Sequence, residues 1–338
     1  MRLAHTGAHG PKTGDIAMTA RRRCLQMLAA TAAFPRMARA AWPEKPLRIV
    51  VPYAAGGFTD ILARLLATRL GERLGQPVIV ENKPGAATML GADAVAKAPP
   101  DGYTLLMATT STLSTNPLLF RKMPFKTTDF VPVALAGLTP FVLVAHPSVP
   151  AQDAAGLVAH ARANPGKLNL AMLGVGSSTH LVDEMFRTAA GVVIPDVPYK
   201  GSAPANTDLL AGHVQLTFDA VATAIPRIKA GRLKGLGITS DTRSPLLPDV
   251  PTFKESGLAQ VVAYSWYGLL APAGTPPGVV EQTNRLVNEI LRTPEVQAQL
   301  EAHGAGAPRL SAAQFGELID EHTRTWARIV KPLNLQLD

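Results

Sequence analysis

The chain has 338 residues, with 33 Lys and Arg against 25 Asp and Glu for a formal net charge of +8, and one cysteine. Residues 1–40 hold seven of the basic residues, one acidic residue and Cys24, so the other 298 residues carry 26 basic and 24 acidic groups, a net +2. That balance argues against a nucleic-acid partner or an acidic membrane surface, and a cysteine-free remainder excludes disulfides and thiolate chemistry there.

Arg21, Arg22 and Arg23 precede the apolar stretch from Cys24 to Phe34, and Ala38-Arg39-Ala40 supplies small residues before Ala41-Trp42-Pro43. This three-part pattern predicts an export signal over residues 1–40, removed near Ala40. Its apolar stretch of 11 residues falls short of the roughly 20 that span a bilayer, which argues against a retained anchor. Met18 is a second candidate start, and the arginine run leaves general and twin-arginine export both open. Arginines directly before Cys24 argue against a lipid anchor.

Downstream, short Val/Ile/Leu-rich segments alternate with helical ones, which predicts an α/β fold built on βαβ units. Ile49 to Val51 runs through Pro52-Tyr53-Ala54-Ala55-Gly56-Gly57-Phe58-Thr59 into a helix predicted over 60–74, with Ile61, Leu62, Leu65, Leu66 and Leu70 on its apolar side. Further strands are predicted at 78–80, 104–108 and 141–145. A second strand, 168–172, runs through Leu173-Gly174-Val175-Gly176-Ser177-Ser178-Thr179 to a helix near His180. Strands at 214–218 and 234–238 follow. Ser311 with Gln314 reads as a capping box for a long packing helix.

The repeated strand–loop–helix unit carries the functional expectation. A helix N-terminus has first-turn amides without intrahelical partners and presents about half a positive charge, so it is a seat for an anion. Two seats suggest one ligand with acidic groups. Gly56 and Gly57 allow positive φ and let the backbone approach that ligand closely, which a Cβ would obstruct. Thr59 and Ser177 would cap their helices or turn a hydroxyl to a carboxylate. Asp219 is read either as a ligand acceptor or as a helix cap, and His180 as a neutral core or cap residue. Lys83 and Lys200 are read as solvated loop charges. Tyr53, Phe58 and Trp266 are candidates to line the cleft, a hinge-side core being the alternative for Trp266. The units lie about 120 residues apart, which suits one per domain. One domain is expected over 42–139 plus 264–338 and the other over 140–263, closing about a hinge.

Catalysis is not indicated. Ser177, His180 and Asp219 are the residue types of a serine hydrolase, a remote alternative, but no Gly-x-Ser-x-Gly elbow is present. The six histidines after residue 40 show no paired metal spacing. Gly174-Val175-Gly176 lacks the third glycine of a dinucleotide fingerprint, so no cofactor, metal or catalytic residue is expected.

Trp42-Pro43-Glu44-Lys45-Pro46, Val51-Pro52-Tyr53 with Gly56-Gly57 and Asp60, Val80-Glu81-Asn82-Lys83-Pro84-Gly85-Ala86, Pro99-Pro100-Asp101-Gly102-Tyr103-Thr104, Val197-Pro198-Tyr199-Lys200-Gly201-Ser202 and Leu270-Ala271-Pro272-Ala273-Gly274-Thr275-Pro276 resemble the Bug family. These are the TctC-like extracytoplasmic solute receptors of tripartite tricarboxylate transporters, and the resemblance runs over essentially all of residues 42–338. It implies a type II periplasmic-binding-protein fold, two α/β domains with a ligand cleft between them. It further implies a monomeric periplasmic receptor that captures a small carboxylate (a di- or tricarboxylate, acidic amino acid or aromatic acid) and delivers it to the membrane permease subunits. Carried over by position, the ligand residues are Tyr53, Gly56, Gly57, Phe58 and Thr59 in the first loop and Gly176, Ser177, Ser178 and Thr179 in the second. Thr110, Ser111, Tyr199, Gly201 and Asp219 complete the set. Ala55 stands where a proline commonly precedes the glycine pair, and Ala87-Thr88-Met89-Leu90 replaces a more glycine-rich run. A receptor reporting to a membrane sensor kinase would use the same closure and is the alternative reading.

Overall fold

Strand β1 (Leu47–Val51) leads into helix α1 (Phe58–Leu74), followed by β2 (Val78–Asn82), α2 (Met89–Ala96) and β3 (Thr104–Thr109). This computed structural model describes Gly7 and residues 42–174, 176–199, 202–333 and 336–337; the predicted export signal apart from Gly7, and Val175, Lys200 and Gly201, lie outside the described residues. Leu62, Leu66 and Leu70 recur every fourth residue with Ala63 and Ala67 beside them, and all five are buried, giving α1 one apolar stripe. Gly75 ends it at φ 66°, donating its N–H to Gly71 O at 3.0 Å, the left-handed cap that glycine adopts without a Cβ clash. Ile61, expected on the stripe, is 41% exposed, because one residue from Leu62 is about 100° around the helix.

After β3 come a π-turn (Ser111–Thr115), the short helix α3 (Asn116–Leu119) and β4 (Phe130–Ala145). β4 is shared by both halves of one nine-stranded sheet. From Phe130 to Pro140 it pairs antiparallel with β9 (Tyr264–Pro272), which also pairs with β3. From Phe141 to Ala145 it pairs antiparallel with β7 (Leu216–Ala220) and with β8 (Lys234–Ile238). β1 lies parallel between β2 and β3, and β5 (Leu170–Met172) lies parallel between β6 (Asp196–Pro198) and β7. Sequence patterning reveals neither β6, three residues ending in proline, nor the first part of β4. There Pro132 and Gly137 interrupt the apolar run, and register shifts beside both absorb them.

The remaining helices are α4 (Ala154–Ala163), α5 (Ser178–Ala190), α6 (Ser202–Ala211), α7 (Val221–Lys229), α8 (Pro277–Ile290), α9 (Pro294–Ala302) and α10 (Ala312–Leu333). The first half-sheet is covered by a core containing Ile49, Leu66 and Leu105 and by another containing Leu106, Trp266 and Phe315. Cores with Leu143, Phe186 and Phe218, and with Val142, Ile225 and Ile238, cover the second. Each buried side chain of this size contributes about 1.5–3 kcal/mol. The expected capping box forms, Ser311 N–H donating to Gln314 Oε1 at 2.9 Å and Gln314 N–H to Ser311 Oγ at 3.2 Å. α10 then ties the halves together: Phe315 meets Trp266 edge-on at 5.5 Å in the first, while Trp326 and Val330 join the core of the second. Beyond it, Leu337 bonds back to α3, its N–H donating to Leu119 O at 2.7 Å and its carbonyl accepting from Arg121 N–H at 3.1 Å. Among the described residues no helix is long and apolar enough to cross a membrane.

Candidate ligand site

The two expected loops are built alike. Gly56 (φ 90°) and Gly176 (φ 77°) both take the left-handed conformation, and the next residue, Gly57 or Ser177, is an extended N-cap at φ −79° or −67°. In each loop a side chain four residues on captures the glycine amide. Gly56 N–H donates to Asp60 Oδ2 at 3.0 Å, and Gly176 N–H to His180 Nδ1 at 3.1 Å. Phe58 and Thr59, or Ser178 and Thr179, then supply first-turn amides that have no intrahelical acceptor. Of the two glycines Gly56 uses its freedom for positive φ, whereas Gly57 is extended, as an N-cap requires.

Asp60 also accepts from Arg64 Nε at 3.0 Å and Asn82 Nδ2 at 2.9 Å, and Asn82 Nδ2 reaches Tyr53 O at 3.1 Å. Burial pushes the Asp60 carboxyl up, but the bonds from Arg64, Gly56 and Asn82 outweigh it and hold the group below its ordinary value. Asp60 therefore fixes loop one as an anion in the neutral range. Ser177 caps α5: its hydroxyl accepts from His180 N–H at 3.2 Å, donates to Gly174 O at 2.8 Å and lies 2.8 Å from Thr179 Oγ1.

Hydroxyls line the first half and join it to the second. Within the first half Tyr53 Oη lies 2.8 Å from Thr109 Oγ1, and across the halves Ser111 Oγ lies 3.0 Å from Ser178 Oγ. Thr115 Oγ1 donates to Gly176 O at 3.4 Å. Burial raises the Tyr53 phenol, with the Thr109 and Ser111 hydroxyls opposing. Burial also raises that of Tyr267, with Ser265 opposing and Tyr53 and Asp219 adding to the rise. Asp219 Oδ2 accepts from Ser202 Oγ at 2.9 Å and Asn206 Nδ2 at 3.0 Å, and its Oδ1 from Ala220 N–H at 2.9 Å. Tyr53, Thr109, Ser111, Ser178, Tyr267 and Asp219 thus form one polar cluster drawn from both halves.

Other expected residues are engaged elsewhere. The Phe58 ring is core, edge-on to Tyr267 at 5.0 Å, and Thr59 is buried in the first turn of α1. Thr110 Oγ1 accepts from Trp266 N–H at 2.9 Å, and Trp266 is fully buried, the core alternative for that residue. Tyr199 donates its hydroxyl to Asp208 Oδ2 at 2.6 Å, and burial with this partner pushes its phenol up to about 12. Thr109, Ser202, Asn206, Ser265 and Tyr267 were not anticipated. Strand alternation carries the missing signal for two of them: Ser265 and Tyr267 share the face of β9 opposite Trp266.

Behind loop two, His180, Glu184 and Asp196 bring their ligating atoms within 4.8 Å of one another. The Arg187 guanidinium bonds both carboxylates and supplies the positive charge there. Burial pushes the His180 imidazole below its ordinary value, Asp196 and Glu184 opposing. The largest of the described cavities, about 590 Å³, is bounded by Leu138, Pro140, Tyr264, Arg243 and Glu301. No residue of either loop lines it.

The sequence profile of the tripartite tricarboxylate transporter family receptor matches residues 62–335. Protein BugT of Bordetella pertussis is 37% identical over 298 residues, 88% of this chain and 91% of that protein. An R. palustris protein solved with adipate superposes with a TM-score of 0.81 at 36% identity, over 86% of this chain and 97% of that one. MatC from Rhodopseudomonas palustris with bound malate gives 0.78 at 33% identity, over 86% of this chain and 100% of that one. With its family profile, its Bug relative and its two-domain binding-protein fold, the chain belongs to the Bug/TctC-like receptors of the tripartite tricarboxylate transporter family.

Proposed function

We propose that this chain is an exported periplasmic receptor that captures a small dicarboxylate between its halves and hands it to membrane permease subunits. The observation that carries the reading is the Ser111–Ser178 hydroxyl contact of 3.0 Å: it brings the first turn of α5 beside the hydroxyls after β3, across the two halves. Backbone amides and hydroxyls suit carboxylates, because hydrogen bonds to a charged group contribute about 1.5–3 kcal/mol each. The adipate and malate of the two related structures are both dicarboxylates. We assign one domain to residues 42–139 with 264–338 and the other to 140–263, a division supported by the change of β4 partners between Pro140 and Phe141. Both sides of the site come from one chain, so a monomer suffices.

A ligand that binds the folded chain stabilises it by mass action, about 2.7 kcal/mol at a hundredfold excess over Kd. Malate, adipate and related dicarboxylates are therefore expected to raise the thermal midpoint, and neutral sugars to leave it unchanged. A screen in which sugars shift the midpoint and carboxylates do not would refute the assignment.

A further inference from the structure

We propose that His180 is a proton-sensitive positioning residue of the second loop, holding Gly176 in place only while its ring is neutral. The inference rests on that loop forming half of the carboxylate site. An amide N–H needs an acceptor, so the 3.1 Å bond from Gly176 requires the Nδ1 lone pair and leaves the proton on Nε2. Nε2 faces Glu184 Oε1 at 3.8 Å.

The matching position in loop one is Asp60, an anion whose oxygens accept throughout the neutral range. The same latch occurs twice, and only the second carries a group that titrates near neutrality.

The charged groups acting on His180 are Glu184 and Arg187 from its own helix and Asp196 from β6, with buried Asp183 coupled to the same network. Arg187 bonds both Glu184 and Asp196, so neither carboxylate is free to serve an imidazolium alone. The groups closest to Gly176 from α3 and the C-terminal segment are the apolar Leu119 and Leu337. A second proton on the ring places an N–H at Nδ1, directed at the N–H of Gly176. The bond becomes a repulsion, while Nε2–H gains a charged attraction to Glu184 that draws the ring away from the loop. Among the described residues Gly176 then keeps its carbonyl bond from Thr115 and its apolar contacts, and the first-turn amides of α5 lose their alignment. The α5 N-terminus also disfavours a cation. Ligand is held at neutral pH and released on acidification.

The test compares the wild type with His180→Asn, whose Oδ1 takes the place of Nδ1 without titrating, and with His180→Ala. Malate and adipate serve as probes in calorimetry at about pH 7.5 and about pH 4.5, a window that starts above the ordinary histidine value and reaches well below it, because burial lowers this ring. The wild type is expected to lose about 2- to 10-fold more affinity on acidification than His180→Asn, the worth of one hydrogen bond. His180→Asn should match the wild type at the higher pH, and His180→Ala should be weak at both. Parallel pH profiles for the wild type and His180→Asn overturn the proposal, since both experience the titration of the probes themselves. If neither probe binds any form, the receptor reading fails separately, and the wild-type Gly176 amide resonance decides the latch. A shift with the midpoint of the His180 ring supports it, and a resonance indifferent to that midpoint overturns it.

Discussion

Asp183 is 1% exposed, and neither of its oxygens has a hydrogen-bond partner among the described residues. Burial, reinforced by Asp196, pushes its carboxyl well above the ordinary value. The folded chain holds a proton there that the unfolded chain releases near pH 4, so the stabilisation is complete below about pH 4 and is lost as pH rises toward the folded value. Asp183→Asn is expected to raise the thermal midpoint at about pH 8, with a gain of about 1–3 kcal/mol that vanishes near pH 4. An equal gain at both pH values would show that the carboxyl charge is not the cause. His180 and His322 act with the opposite sign. Burial lowers both, so their contribution is present above the ordinary histidine value and is lost as pH falls toward the folded one. None of this is legible in the sequence, where Asp183 sits in an unremarkable helical heptad. By contrast, the replacement of glycine at Ala87 and Thr88 is legible, and its consequence is physical. Ala86, Ala87 and Thr88 take φ of 45°, 50° and 79°, a left-handed run that costs about 1–2 kcal/mol per residue. Asn116 helps hold it, its Nδ2 donating to Ala87 O at 2.6 Å and Thr88 Oγ1 at 3.3 Å.

At the scale of elements, the repeated strand–loop–helix unit is legible because glycine placement and apolar runs fix backbone and burial. The latch that closes each loop is not, since Asp60 and His180 share no chemistry that a repeat search would match. The two glycines also differ in surroundings. A Cβ on Gly56 would meet nothing within 4 Å, whereas one on Gly176 would lie 2.9 Å from Leu337 Cδ1 and 3.0 Å from Leu119 Cδ1. Gly56→Ala is therefore expected to cost only backbone strain, about 1–2 kcal/mol. Gly176→Ala should cost more, because packed leucines must also move, and should weaken carboxylate binding in proportion. Thermal melts and calorimetry on the two variants check the order; a more damaging Gly56→Ala would place the weight on the wrong loop. The strands were readable where Val, Ile and Leu cluster, as in β1 and β3. They were lost where proline and glycine enter β4, whose pairing is set by β9 more than 120 residues away in sequence.

For the molecule as a whole, few tethers join the halves among the described residues: β4 runs through both, α10 spans both, and Ser111 touches Ser178. Replacing both serines with cysteine in a chain whose only native cysteine is Cys24 is expected to give a disulfide, since the two Oγ atoms lie 3.0 Å apart and the sulfurs replacing them need approach only about 1 Å closer to bond. Oxidation should then stop exchange of bound malate or adipate, and a reductant should restore it. Exchange that continues at the reduced rate constant after complete oxidation would mean that ligand leaves without the halves parting. Leu337 adds a practical consequence. Its backbone is fastened to Leu119 and Arg121, and its side chain lies beneath Gly176. A purification handle joined at Leu337 would begin next to the floor of the second loop. Affinities measured with such a handle attached would report on the fusion as well as on the receptor, and cleaving it first is part of measuring the protein at all.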